Sequence, residues 1–240
     1  MLYQRLLVDR LGGVLYLAGV LLVQGCASGR LGVVLPTGMV PGASADAARW
    51  VGTTQPATNR LVRFRFQFRD DRGAAGGRGS IRVTPGDSLR FDVIGSLGSF
   101  RGAAVVFGDS SVWAEPEEDV SKMVPNYPLL WAMLGIARHP APGATIRRFD
   151  DARVLAWQFA SGADTVEYVR TGAPAGKLIA DVRQAGRMIG RVETVFGPDG
   201  TAISSRLTVP SVPARLDLSF TSTDTQATFE PDIWSPPPPP

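Results

Sequence analysis

The chain of 240 residues holds one cysteine, Cys26, one histidine, His139, and only two lysines, Lys122 and Lys177. A lone cysteine excludes an internal disulfide and any metal site built on several thiolates. A lone histidine removes the zinc, haem and acid–base arrangements that need imidazole in company. No G-x-S-x-G elbow, Walker loop, G-x-G-x-x-G fingerprint or H-E-x-x-H motif occurs. Long apolar runs are missing too. The best, Leu11 to Val23, falls short of the ~20 residues that cross a bilayer as a helix. A net charge of +3, with no concentrated basic patch, gives nucleic acid no footprint. Acidic clusters stand at Asp70-Asp71, Glu117-Glu118-Asp119 and Asp150-Asp151, each in an expected loop, where carboxylates belong. Neither a metal nor a cofactor is expected, and the chain reads as a protein that is not an enzyme.

The cysteine is informative through its position. Arg5 and Arg10 precede the apolar run, and Val23-Gln24-Gly25-Cys26 follows it. A charged start, a short apolar core and a small residue before the cut describe an export signal. Val23, Gly25 and Cys26 satisfy the bacterial lipoprotein processing pattern, whereas Gln24 stands where a small residue is usual. Residues 1–25 are therefore expected to be a signal peptide and Cys26 the lipidated first residue of the mature chain. Several acyl chains on one residue anchor durably, because each buried methylene contributes about 0.8 kcal/mol. Ala27 follows the cysteine in place of an inner-membrane retention aspartate. The expected location is the cell envelope, at the periplasmic face of the outer membrane.

Residues 26–43 lack a hydrophobic period and read as a tether. Ser44 to Gly52 reads as a short helix capped by Ser44 and closed by Gly52. From Val62 to Arg69 apolar and polar residues alternate, as in a strand with one buried and one wet face. Phe64, Phe66 and Phe68 share the apolar face, as core or as the lining of an apolar cavity. Asp70 to Gly79 reads as a glycine-rich hairpin loop. Strands follow at Ile81–Val83, Leu89–Ile94, Ala103–Phe107 and Val112–Ala114. Leu129 to Ile136 is apolar throughout and reads as a buried helix. Strands resume over 153–159, 165–169, 177–183, 188–195, 201–209 and 215–220, with a last one near 225–229. The domain is expected to span 44–235, and 236–240 is a proline tail.

This layout resembles the LolA/LolB family of periplasmic lipoprotein carriers, and within it the outer-membrane receptor branch. Leu89 to Ser99 is similar to the family's strand that ends in Asn-Pro-Leu-Gly-Ser, with Gly95-Ser96 in place of Asn-Pro. Glu117-Glu118-Asp119 with Leu130-Trp131 and Gly135 resembles its acidic segment and Trp-bearing helix. Arg206–Val209 with Leu216–Phe220 is similar to its last hairpin. The resemblance implies a mainly β fold: a single curved antiparallel sheet, a half-barrel, with a few helices covering its open side. It implies a cavity for acyl chains, lined by Phe64, Phe66, Phe68 and Trp131. It places Leu97 on a protruding membrane-insertion loop. The implied partners are membrane lipid through Cys26, acyl chains or lipoproteins as cargo, and a LolA-like periplasmic carrier. The alternative is an envelope lipoprotein that uses the fold as an interaction module without transport.

Overall fold

The computed structural model describes Gly32, residues 34–117 and residues 126–236. The signal segment, Cys26, Glu118, Asp119 and residues 237–240 lie outside the described residues. Val34–Pro240 forms one compact unit. Its thirteen described strands are β1 (Val40–Pro41), β2 (Arg60–Arg69), β3 (Ala74–Thr84), β4 (Ser88–Gly95), β5 (Arg101–Phe107) and β6 (Ser110–Glu115) in the first half. The second half holds β7 (Thr145–Asp150), β8 (Val154–Ser161), β9 (Asp164–Thr171) and β10 (Gly176–Gln184). β11 (Arg187–Phe196), β12 (Ala202–Val209) and β13 (Ala214–Asp224) complete it. The described helices are α1 (Ser44–Thr54) and α2 (Tyr127–Ala132), with 3-10 turns at Ser96–Gly98 and Pro231–Trp234.

All the described strands join one antiparallel sheet in the order β1-β7-β8-β9-β10-β11-β12-β13-β2-β3-β4-β5-β6. β1 and β6 are its two edges, so the sheet is not closed into a barrel. Its curl follows from bonds to the short segment that begins at α2. Tyr168 Oη on β9 accepts from Arg138 N at 3.0 Å, and Thr194 Oγ1 on β11 donates to Ala132 O at 2.7 Å. From the same segment Trp131 Nε1 donates to Gly108 O at 2.8 Å, and Arg138 Nη1 to Asp87 Oδ1 at 2.6 Å. Asp87 and Gly108 belong to the β3–β4 and β5–β6 turns. In a flat sheet β9 and β4 would stand roughly 35 Å apart, at ~4.8 Å per strand. One segment bonds both, so the sheet wraps around it. The mainly β, open, curved sheet is the fold class expected from the sequence.

Alternation sets the inner face. Phe64, Phe66, Ile81, Val83, Phe91 and Val93 are buried on β2, β3 and β4, and Leu178, Ala180 and Val192 on β10 and β11. Arg63, Arg65 and Arg69 are exposed on the other face, as a half-wet strand requires. α1 turns Ala47 and Val51 inward.

Several elements differ from expectation, each for a physical reason. The glycine-rich stretch is strand β3, not loop. Gly77 and Gly79 face Phe66 and Phe64 across β2. A Cβ on Gly77 would lie 2.8 Å from Phe66 Cε1, and one on Gly79 2.9 Å from Phe64 Cε2. The rings of β2 thus fill the side-chain positions that β3 leaves empty. The stretch expected to be a tether, 26–43, is packed on the sheet in its described second half. Val34, Leu35 and Met39 pack on Ala156 and Val169, and β1 pairs with β7. Scattered apolar residues without a period are enough to cover a sheet face. Ser44 is the first residue of α1 and makes no capping bond, and the helix runs past Gly52 to Thr54. α2 stops at Ala132 because Gly135 takes a left-handed φ of 77°. No strand forms near 225–229. Instead Trp113 Nε1 donates to Trp234 O at 3.1 Å, so the C-terminal 3-10 turn docks at edge strand β6. Among the described residues no helix is long and apolar enough to cross a membrane.

Candidate functional site

Two features of the described residues offer themselves for function: a cleft under the sheet and a protruding hairpin tip. The cleft has a volume of about 480 Å³, within the range of small-molecule sites. One wall is the end of α1. The other is the turn after α2. They are tied together by Gln55 Nε2 donating to Ala137 O at 2.8 Å and Ala137 N donating to Thr54 Oγ1 at 3.0 Å. Trp50 stacks on Trp157 with centroids 5.9 Å apart, fixing the helix against β8. Gly135 is required twice over. Its φ is left-handed, and a Cβ there would sit 2.6 Å from Phe196 Cζ. The Phe196 ring therefore reaches the cleft through the space glycine leaves. Val62, Leu134, Ile136, Leu155, Leu178 and Phe220 supply apolar lining.

Arg60 and Arg170 also line this cleft. Arg60 stands opposite Val83 in the β2–β3 ladder, and Arg170 opposite Leu155 and Leu178. Both are therefore inner-face positions. The Arg170 guanidinium lies 4.1 Å from the Phe196 ring centroid and donates to the carbonyls of Thr171, Pro174 and Ala175. Arg60 Nε is buried and has no hydrogen-bond partner. Burial lowers the pKa of both guanidiniums. Asp199 stands in the lining as well, where its carboxylate accepts from Thr201 N and Oγ1, both at 2.9 Å. These bonds hold its pKa below the usual carboxylate range.

A second cleft, of about 500 Å³, lies beside the start of α2 and is lined by Tyr127, Arg138, His139, Phe159, Val182 and Ile189 among others. Its cation is satisfied. Arg138 Nε donates to Asp109 Oδ1 at 3.0 Å, its Nη1 and Nη2 reach both oxygens of Asp87, and its guanidinium lies 4.9 Å from the Trp131 ring centroid. Burial pulls the Arg138 pKa down, but the two carboxylates outweigh it and raise it. The same bond holds Asp87 low. Burial pushes the Tyr168 hydroxyl up.

The hairpin tip is the Ser96–Gly98 turn between β4 and β5. Its base is fastened by Gly95 N donating to Phe100 O at 2.9 Å and by Ser96 Oγ donating to Gly76 O at 2.8 Å. Phe100 packs edge-on against Phe66, centroids 5.9 Å apart. Leu97 stands clear of all this at 108% relative exposure, with φ 57° and ψ 19°.

The residues assigned to a cavity from the sequence are placed differently. Phe64, Phe66 and Trp131 are 1%, 3% and 0% exposed and belong to the packed core, with Phe68 partly buried against it. None of the four lines either cleft. α2 fills the space they face: a Cβ on Gly190 would lie 2.6 Å from Leu129 Cδ1, so the helix sits directly on β11. Leu97 is on a protruding turn. Cys26 lies outside the described residues. Asp70 and Asp151 close their own turns by accepting from the backbone N–H groups of Arg72 and Gly73 and of Arg153 and Val154. Neither cluster lines a cleft described above. Sequence reasoning missed Arg60 and Arg170. Parity could have found them, since counting back by twos from Phe64 reaches Arg60, and counting on by two from Tyr168 reaches Arg170.

No family model and no curated protein matches the chain. Solved structures that resemble it include a candidate outer membrane lipoprotein-sorting protein domain from Vibrio parahaemolyticus. It has 8% identity and a TM-score of 0.49, over 79% of this chain and 95% of that one. A DUF1329 family protein from Desulfovibrio piger gives 8% identity and a TM-score of 0.45, over 80% and 95%. A LolA superfamily protein from Nitrosomonas europaea gives 8% and 0.38, over 82% and 98%. At these values the likeness is one of chain course, and the function has to be argued from this chain's own residues.

Proposed function

We propose that this is a lipid-anchored protein of the bacterial cell envelope, held by Cys26 at the periplasmic face of the outer membrane. It takes an acyl chain, free or on a lipoprotein, into the cleft between α1 and the turn after α2. It passes that chain to the membrane at the Leu97 hairpin. The observation that carries the reading is Leu97 itself. A large apolar side chain held fully in water, on a turn whose base is fastened at several points, has no role in the fold. It gains by entering an apolar phase. The cleft adds a site of ligand size. The cycle needs no covalent chemistry: the cleft offers the chain a surface comparable to lipid, and the membrane is the final sink.

The test is transfer of a fluorescent acyl donor from the purified protein to acceptor vesicles. Leu97→Glu is expected to leave the melting temperature unchanged and to slow transfer by about tenfold or more, since a charged tip no longer partitions. Unaltered transfer by a folded Leu97→Glu protein would remove the proposal. The packed state of Phe64, Phe66 and Trp131 favours a second reading, in which the domain holds a protein partner and carries no lipid. That reading predicts protein free of bound acyl lipid and indifferent to Leu97→Glu.

A further inference from the structure

Several arginines of the described residues meet carboxylates. Arg82 and Arg90 share Asp92, Arg206 and Arg215 share Asp217, and Arg138 bridges Asp87 and Asp109. Arg148, on the inner face opposite Trp157, pairs with Asp46 and Asp150, whereas the two inner-face arginines that line the cleft meet no carboxylate. The Arg60 side chain makes no hydrogen bond or ion pair to any described residue, and its Nε is sealed from water. Arg170 is held only by carbonyl oxygens and by the face of Phe196. A guanidinium on an apolar face, half-buried and without a counter-charge, costs stability for as long as it stays unpaired. Leu, Met or Val at either position would suit the core better. The planar fork is suited to one class of group, a carboxylate or phosphate that accepts two parallel bonds.

We infer that the cleft under α1 is a site for an amphiphile with an anionic headgroup, a carboxylate or a phosphate ester, whose tail lies along Leu134, Ile136 and Phe220 while Arg60 pairs with the headgroup. Arg170 sets the field of the same cleft. Asp199 in the lining is already engaged by Thr201, and it opposes a second negative charge, so a ligand with one anionic group is preferred. At about 480 Å³ the cleft suits one tail and not the several chains of a lipidated cysteine. The inference rests on the reading of the chain as a lipid binder. It narrows the ligand from acyl chains in general to a single-tailed anionic lipid.

The full-length chain, in nanodiscs of phosphatidylcholine, is exposed to diazirine-bearing palmitic acid or to the matching hexadecanol analogue. It is then illuminated, and the labelled peptides are mapped. The acid is expected to label the peptides of α1 and Leu134–Ile136 about tenfold more than the alcohol, the ratio of one charge-assisted hydrogen bond. Arg60→Gln should abolish that preference while leaving the weak alcohol labelling in place. Arg60→Lys should keep most of it. Without ligand, Arg60→Gln should melt no lower than the parent, because it removes an uncompensated cation. Equal labelling by acid and alcohol would overturn the anionic headgroup and leave the lipid reading standing. Labelling by neither would overturn both. Loss of acid labelling in millimolar inorganic phosphate, with no alcohol labelling at all, would make the cleft a plain anion site and overturn the amphiphile.

Discussion

Replacing Leu97 by glycine should make the domain more stable and, at the same time, less able to hold a membrane. The left-handed backbone at Leu97, φ 57° and ψ 19°, costs a residue with a Cβ about 1–2 kcal/mol. Glycine relieves that strain but adds unfolded-state freedom worth about 0.4–1 kcal/mol. No burial is lost, because the side chain is wholly exposed. The difference favours the variant by roughly 0.5–1 kcal/mol, or about 1–4 °C in melting temperature for a domain of this size. Membrane contact changes in the other direction. Entry of the leucine side chain into the acyl region contributes about 1.5–3 kcal/mol, so its removal should weaken vesicle partition by ~10- to 150-fold. Both quantities can be read on the purified protein, by calorimetry and by vesicle co-sedimentation. A lower melting temperature would refute the backbone reasoning. Unchanged partition would refute the tip as a membrane contact.

Three further changes test the frame around the site. Gly77→Ala puts a methyl group 2.8 Å from Phe66 Cε1 and 2.9 Å from Gly95 Cα, so it should cost about 1–3 kcal/mol by urea titration. Gly52→Ala, in helix α1 with nothing near its Cβ, should gain up to ~1 kcal/mol in the same titration. Arg138→Met removes the fork to Asp87 and the bond to Asp109. It should cost about 2 kcal/mol at neutral pH once the part-exposed carboxylates are discounted for screening. Asp87 has its pKa lowered in the fold, so its contribution is complete above the unfolded value of about 3.9 and is lost as pH falls through the lowered one. Amide exchange over 126–138 should therefore speed up in that acid window in the parent, and the Asp87-dependent part of that change should be missing in Arg138→Met.

Sequence alone determined the class of fold and the orientation of most strands. Period-two alternation is a local property, and Val62 to Arg69 could bury its phenylalanines only by turning its arginines outward. The exposed tip was also legible, because Leu97 lies in a glycine-flanked break between two apolar runs. Three matters were decided only by tertiary structure. Glycines 76, 77 and 79 read as loop on their own, and the rings of a neighbouring strand make them strand. Phe64, Phe66 and Trp131 have the character of core and of cavity lining alike, and where α2 comes to rest decides between them. Arg60 and Arg170 are distant in sequence and sit in separate strands. Only a sheet that curls round one helical segment brings both to a single cleft, because alternation tells a side chain which face it takes and never what it will meet there.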